Sequence, residues 1–185
     1  MTSLGSNFHI ITGGPGSGKT SVLEALSERG YLCVGEVGRK IIQEQLLIGG
    51  NALHWGDREL FLELMLTRSM GDYDRVAEAE GHVFFDRGVP ELAGYGPLVG
   101  FPTPAHVKKA AELFRYARTV FVMPPWREIY QNDAERKQDF AEAIASYDLA
   151  VSTYREFGYE PIDVPKASVT ERVRFILERV DADTR

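Results

Sequence analysis

A glycine-rich segment at residues 13–20, with the sequence GGPGSGKT, constrains the fold of this chain more than any other feature. It follows the apolar stretch 8–12 and precedes an amphipathic run, so it lies between a predicted strand and a predicted helix. Its glycines let the backbone curl until successive N–H groups point at an anion, and the start of the helix adds a positive dipole end. The segment therefore predicts a phosphate-binding loop.

Two side chains at the end of this loop suit a nucleotide and its metal ion. Lys19 would reach the terminal phosphates, and Thr20 offers a hydroxyl to Mg²⁺, a cation that takes few protein ligands. The alternative is a glycine-rich turn that matches the pattern by coincidence. The predicted nucleotide-binding residues are Gly13, Gly14, Pro15, Gly16, Ser17, Gly18, Lys19 and Thr20, and Thr20 is also a predicted metal ligand.

Composition limits the class of protein. The chain has 185 residues, 44% of them hydrophobic, which is enough for one core and predicts a single domain over residues 1–185. A net charge of −6 argues against a nucleic-acid or membrane-surface partner. The single cysteine, Cys33, fits a reducing compartment, and no apolar run approaches the ~20 residues of a membrane span. We therefore expect a cytoplasmic protein without a membrane span.

Strands alternate with helices along the rest of the chain. The patterns predict further strands near residues 31–36, 82–86, 119–123 and 161–164, and helices near residues 17–29, 39–48, 57–80, 108–116, 139–157 and 168–180. Asp57 and Ser168 are predicted helix N-caps, and Glu171 completes a capping box. Four glycines and four prolines predict an irregular segment over residues 88–104. The order predicts an α/β fold, with a parallel sheet between helices and ligands at the carboxyl ends of its strands.

Two acids and an arginine follow predicted strands and should therefore meet beside the loop. Asp86 ends the apolar run VFFD, a pattern that holds Mg²⁺ in phosphate-loop enzymes, although it could simply cap the next turn. Glu36 is a candidate general base for an acceptor hydroxyl. Arg87 could brace a phosphate or acceptor through paired hydrogen bonds, while Arg39 either binds an anionic substrate or pairs with Glu36. Lys19, Glu36, Asp86 and Arg87 are thus predicted catalytic residues.

A polar segment over about residues 124–139 is predicted to form a lid. It follows strand four directly and carries Arg127, Arg136 and Lys137. A lid at this place excludes water and brings arginines to the transferring phosphate. We predict that Arg127 contacts the nucleotide and that Arg136 is catalytic. The alternative is that these are solvated helix charges balanced by neighbouring acids.

These motifs make the chain resemble the bacterial "predicted ATPase" family of the phosphate-loop superfamily. That family is related to the nicotinamide riboside kinase domain and, more distantly, to nucleoside and thymidylate kinases. The resemblance is carried by residues 13–20, 36–39, 84–88, 124–126, 129–130, 132–136, 164–165 and 168–169. It implies a kinase-like P-loop fold with five parallel strands, ATP bound with Mg²⁺, and an arginine-bearing lid. It also implies a base at Glu36 and an acid–arginine pair at Asp86 and Arg87, whereas Glu91 stands where the family pattern has aspartate.

Three functions stay open at this point. The first is a small-molecule kinase that moves the γ-phosphate of ATP to a hydroxyl of a nucleoside-like or other small metabolite. The second is a nucleotide hydrolase or switch acting through a protein or lipid partner, and the third is a toxin or antibiotic phosphotransferase. Arg87 occupies the position where a hydrolytic motor usually has glutamate, and the guanine-reading Asn/Thr-Lys-x-Asp segment is absent from the sequence. These features favour ATP over GTP and a kinase over a hydrolase.

Overall fold

A computed structural model describes residues 5–129 and 140–183 of the chain. Within these residues five parallel strands form one sheet in the order β2-β3-β1-β4-β5. The strands are β1 Phe8–Gly13, β2 Leu32–Val34, β3 Val83–Asp86, β4 Thr119–Met123 and β5 Glu160–Asp163. The helices are α1 Lys19–Ser27, α2 Val37–Ile48, α3 Arg58–Arg75, α4 Leu92–Val99, α5 Ala105–Leu113, α6 Phe140–Glu156 and α7 Val169–Asp183. The predicted α/β fold with a five-stranded parallel sheet is confirmed.

The central strands β1 and β3 are buried along their whole length because helices cover both faces of the sheet. Successive residues of a strand point to opposite faces, so Ile10 and Ile11 belong to two different core clusters. Phe85 packs in the cluster with Ile10, while Phe84 packs in the cluster with Ile11. In the register of the sheet, Ile11 pairs with Asp86 and Gly13 with Met123, which brings the ends of three strands to the phosphate-binding loop.

Both predicted N-caps are confirmed. The Asp57 carboxylate accepts a hydrogen bond of 2.9 Å from the backbone N–H of Leu60 at the start of α3. At α7, the backbone N–H groups of Ser168 and Glu171 each donate to the other residue's side chain, at 3.1 and 3.3 Å. Helix α3 ends at Arg75 rather than near residue 80, and the chain continues in tighter turns, in which Val76, Ala77 and Ala79 donate to the third preceding carbonyl.

The prediction of an irregular segment over residues 88–104 is wrong for most of its length. A 3₁₀ turn spans Val89–Glu91 and α4 spans Leu92–Val99, with Pro97 inside the helix. The glycines there serve close packing: a Cβ on Gly94 would lie 2.6 Å from Oγ1 of Thr153, and one on Gly96 would lie 2.8 Å from the carbonyl oxygen of Phe101. Tertiary packing against α6 therefore outweighs the local preference for a break.

Two further predictions concerned membrane spans and the lid. In the described residues, no helix is both long enough and apolar enough to cross a membrane. The predicted lid is described only up to Ile129, so Arg136 and Lys137 lie outside the described residues.

Candidate active site

The phosphate-binding loop joins β1 to α1 at the carboxyl edge of the sheet, as predicted. Lys19 is only 6% exposed, and its Nζ donates hydrogen bonds to the carbonyl oxygens of Gly13 at 2.9 Å and Gly14 at 3.0 Å. The Ser17 hydroxyl donates to the carbonyl of Gly14 at 2.8 Å. A desolvated ammonium group inside a glycine-rich loop is suited to bind phosphate.

Helices α6 and α7 hold this loop from two sides. A Cβ on Gly14 would lie 2.5 Å from the carbonyl oxygen of Ala143 in α6. Gly18 has a φ of +84°, and a Cβ there would lie 2.7 Å from Nη1 of Arg172 in α7. Glycine is thus required at position 14 by the backbone of α6, and at position 18 by the left-handed φ of the loop.

Arg172 is a site residue that sequence reasoning missed. It is 5% exposed, its Nη1 donates to the carbonyl oxygen of Ser17 at 3.4 Å, and its guanidinium carbon lies 5.8 Å from the centre of the Trp126 ring. Its Nε has no hydrogen-bond partner among the described residues, and burial lowers the pKa of its guanidinium. The capping box at Ser168 could have revealed it, since Arg172 is one turn into a helix that begins at the ligand-binding edge.

Asp86 lies at the end of β3 with a carboxylate that suits a metal ion. It is 7% exposed, and its buried Oδ1 has no hydrogen-bond partner within the described part of the chain. Burial raises its pKa and Lys19 opposes this, while Glu36 raises the pKa further. An unpaired carboxylate oxygen costs free energy unless a cation satisfies it. Thr20 lines the same groove as Asp86, so these two oxygen ligands could hold Mg²⁺ between them, and their role as metal ligands stays a prediction.

Arg87 links the loop to both predicted and unpredicted acids. Its φ of +71° lies in the left-handed region, which is uncommon for a residue other than glycine. Its Nη1 forms an ion pair with Glu91, its Nη2 donates to the carbonyl of Gly13 at 3.2 Å, and its Nε lies 3.7 Å from Oε1 of Glu36. Burial alone would lower the pKa of Arg87, but Glu91, Glu36 and Asp86 raise it above its ordinary value. The guanidinium is therefore permanently charged.

Glu91 was noted in the sequence only as a departure from the family pattern, and the structure gives it partners that the sequence did not predict. Besides Arg87, its carboxylate accepts hydrogen bonds from the Thr12 hydroxyl at 2.6 Å and from the Tyr154 hydroxyl at 2.9 Å. Burial raises the pKa of Tyr154, so this phenol stays protonated and donates. It also accepts a bond of 3.1 Å from the backbone N–H of Gly88. Glu91 lies four residues after Arg87, and that spacing was the available signal.

A large cleft opens beside this network, between α2, α3, α4 and α6. Counting its open mouth, it has an empty volume of about 1200 Å³. Glu36, Asp86, Arg87 and Glu91 line one part of it. The apolar lining includes Ile42, Phe61, Met65, Leu92, Tyr95 and Leu149. The large cleft thus combines a charged floor with apolar walls.

An outer groove lies on the other side of Glu36 and Asp86, between α1 and α2. Its lining includes Thr20, Cys33, Arg39, Lys40 and Gln43. Burial raises the pKa of the Cys33 thiol to about 11, which leaves it protonated and inert as a nucleophile. Because Glu36 and Asp86 line both the outer groove and the large cleft, they stand where the two meet.

The structure thus brings four predicted residues together: Lys19, Glu36, Asp86 and Arg87 interact electrostatically. Arg127 is different, because it is exposed, lies 4.5 Å over the ring of Phe140 and lines neither the large cleft nor the outer groove. Its contact with nucleotide and the catalytic role of Arg136 stay predictions.

A five-stranded parallel sheet whose first strand enters a phosphate-binding loop defines a P-loop nucleotide-binding protein. The chain belongs to the family described as "AAA domain" (AAA_28), whose model matches residues 8–172. Its relation to the nicotinamide riboside kinase domain stays a prediction. No curated protein sequence matches the chain.

Two solved kinase structures share the fold. Thymidylate kinase from Ehrlichia chaffeensis is 14% identical with a TM-score of 0.59, and the match covers 96% of this chain and 99% of that one. Deoxyadenosine kinase from M. mycoides, solved with the products dCMP and a flexible dCDP, is 13% identical with a TM-score of 0.61, and the match covers 95% of this chain and 99% of that one. The fold is therefore that of the P-loop nucleoside and nucleotide kinases.

Proposed function

We propose that this protein is a small-molecule kinase that transfers the γ-phosphate of ATP to a hydroxyl group of an acceptor bound in the large cleft. One observation carries the proposal: Glu36, Asp86 and Arg87 meet at the point where the phosphate-binding loop adjoins the large cleft. The charged floor and apolar walls of this cleft suit an organic acceptor, whereas a hydrolase needs only a position for water. We further propose that residues 1–185 form one domain.

On the nucleotide side, the loop amides and the Lys19 ammonium group bind the β- and γ-phosphates. Thr20 and Asp86 would hold Mg²⁺, which supplies charge neutralisation at those phosphates when bound. The unpaired Oδ1 of Asp86 supports this assignment. We propose ATP rather than GTP because the sequence lacks a guanine-reading segment.

On the acceptor side, Glu36 accepts the proton of the attacking hydroxyl. The acceptor oxygen bonds to the γ-phosphorus while the bond from that phosphorus to the β–γ bridging oxygen breaks, and ADP leaves with that oxygen. Arg87 positions Glu36, since its Nε lies 3.7 Å from Oε1 of that carboxylate. General base catalysis of this kind contributes roughly 10²–10⁴ in rate.

A second candidate is a nucleotide hydrolase or switch that acts through a partner, and the family description "AAA domain" favours it. The two candidates differ in their products. A hydrolase releases inorganic phosphate from Mg·ATP alone, whereas a kinase needs an acceptor and makes a phosphate ester.

The test is to incubate the protein with Mg·ATP and a panel of metabolites, and to measure ADP, inorganic phosphate and new phosphate esters by mass spectrometry. We expect ADP and one class of ester in equal amounts. Lys19→Ala serves as the inactive control. Stoichiometric ADP and inorganic phosphate with every acceptor would contradict the kinase proposal and favour the hydrolase.

A further inference from the structure

We propose that the acceptor is an uncharged or positively charged alcohol with a flat apolar body, of which nucleosides are the test class, and that it is not a phosphate monoester. This inference rests on the proposed function and specifies its substrate. Two observations support it: the walls of the large cleft are apolar, and the described residues that line the cleft carry more negative than positive charge.

The walls of the large cleft suit a flat apolar group. Phe61 of α3 and Tyr95 of α4 meet edge to face, with ring centres 5.8 Å apart and planes at 61°. Met65 adds a flexible thioether beside them, and Leu149 of α6 contributes to the same lining. Aromatic and thioether side chains bind ring systems such as nucleobases through dispersion and edge-to-face contact.

The charges on the lining repel an anionic acceptor. Among the described residues that line the large cleft, the carboxylates are those of Glu36, Asp72, Asp86 and Glu91, and the guanidinium is that of Arg87. Asp72 also pairs with Arg75, at 3.0 Å, so the excess of negative charge is greatest around Glu36, Asp86 and Glu91. Mg²⁺ at Asp86 would offset part of this charge, but the phosphates of ATP would offset Mg²⁺ in turn. A phosphate monoester would bring two more negative charges into a partly desolvated site, where like charges repel most strongly.

Arg87 is already committed to other groups. It forms an ion pair with Glu91, lies 3.7 Å from Glu36 and donates to the carbonyl of Gly13. Binding an acceptor phosphate would require it to abandon a partly buried carboxylate, which would then be left without its counter-charge. The charge of Arg87 therefore balances the carboxylates of the floor, and its guanidinium group is poorly placed to bind the phosphate of an acceptor.

Two other cations among the described residues near this junction belong to the outer groove. Arg39 and Lys40 line the outer groove and are not among the described residues lining the large cleft. The two similar structures differ on this point by name, since one is a thymidylate kinase and the other a deoxyadenosine kinase. The excess of negative charge on the lining of the large cleft favours an acceptor without a phosphate group, such as the nucleoside in the name of the second enzyme.

The experiment compares matched pairs of acceptors with Mg·ATP at pH 8, where imidazole groups add little positive charge. Each nucleoside and deoxynucleoside is paired with its own 5′-monophosphate, and kcat/KM is measured from ester formation. We expect nucleosides to exceed their monophosphates by at least tenfold. A preference for monophosphates overturns this inference and leaves the kinase proposal standing.

A charge variant tests the physical reason. Asp72→Asn removes one carboxylate from the lining and leaves its partner Arg75 without that counter-charge. We expect it to raise the ratio of kcat/KM for monophosphates to kcat/KM for nucleosides severalfold. Asp74→Asn is the matched control, because Asp74 is exposed on the same helix and does not line the large cleft. Equal responses of the two variants would overturn the electrostatic argument.

Binding separates failure of this inference from failure of the proposed function. Calorimetry with Mg²⁺ and a non-hydrolysable ATP analogue measures nucleoside and monophosphate affinity without chemistry. Nucleoside binding without ester formation would overturn the proposed kinase activity but support the class of ligand. Absence of nucleoside binding would overturn the inference itself.

Discussion

The phosphate-binding loop and the floor of the large cleft lie next to each other in the site, but they are built from different kinds of chain segment. The loop consists of eight consecutive residues, 13–20, whose backbone supplies most of the binding groups. The floor is assembled from Glu36, which precedes α2, and from Asp86, Arg87 and Glu91 at and after the end of β3, and Tyr154 of α6 donates to it from behind. A contiguous backbone motif can be recognised from sequence alone, whereas a network of side chains depends on how distant segments pack.

The largest expected effect on activity comes from a substitution in the phosphate-binding loop. We expect Lys19→Ala to lower kcat/KM by about 10³, because one aligned donor at a transferring phosphate contributes roughly 10²–10³ and ground-state binding is lost as well. The stabilisation of the protein by Mg·ATP in thermal melts should disappear. Unchanged turnover would show that residues 13–20 are not the phosphate site.

The next effect tests the junction between the two regions. We expect Glu36→Gln to lower kcat by about 10² while leaving ATP affinity unchanged, because the amide cannot accept the acceptor proton. Steady-state kinetics and ATP titration measure the two quantities. Glu44→Gln on the same helix is the control, since Glu44 pairs with Arg68 outside the large cleft. A parallel loss of ATP affinity would assign Glu36 to the nucleotide instead.

A smaller effect tests the network behind the floor. Glu91→Gln keeps the shape of the side chain but removes the charge that faces Arg87, so we expect a loss of about 2 kcal/mol in the free energy of unfolding. We also expect kcat to fall about tenfold as Arg87 and Glu36 shift. Urea denaturation and kinetics check these values, with the exposed Glu112→Gln as control. Full activity in the variant would show that Glu91 has no positioning role.

The smallest expected effect comes from removing one hydroxyl group behind the floor of the cleft. Tyr154→Phe deletes the donor to Glu91 and the acceptor for the backbone N–H of Gly88, and we expect it to cost about 1–2 kcal/mol of stability. Thermal melts measure this, and activity should stay within a few fold because Arg87 keeps its ion pair with Glu91. A loss of activity as large as that of Glu91→Gln would place Tyr154 closer to the chemistry.

The outcome of the sequence predictions follows the same division. The order of strands and helices, the helix caps at Asp57 and Ser168 and the place of the loop were predictable because each depends on residues close in sequence. The segment 88–104 was predicted wrongly because its glycines, Gly94 and Gly96, serve close contacts with Thr153 and Phe101 rather than a chain break.

The sequence by itself determined a phosphate-binding loop in a parallel α/β fold, because backbone curl, apolar periodicity and helix caps are local properties. It also indicated Glu36, Asp86 and Arg87, because parallel strands end at one edge of a sheet. Only the tertiary structure brought Tyr154 and Thr12 to the Glu91 carboxylate, and Arg172 to the loop. The physical reason is that these contacts join segments distant in sequence, and burial and pairing of their charges are set by packing alone.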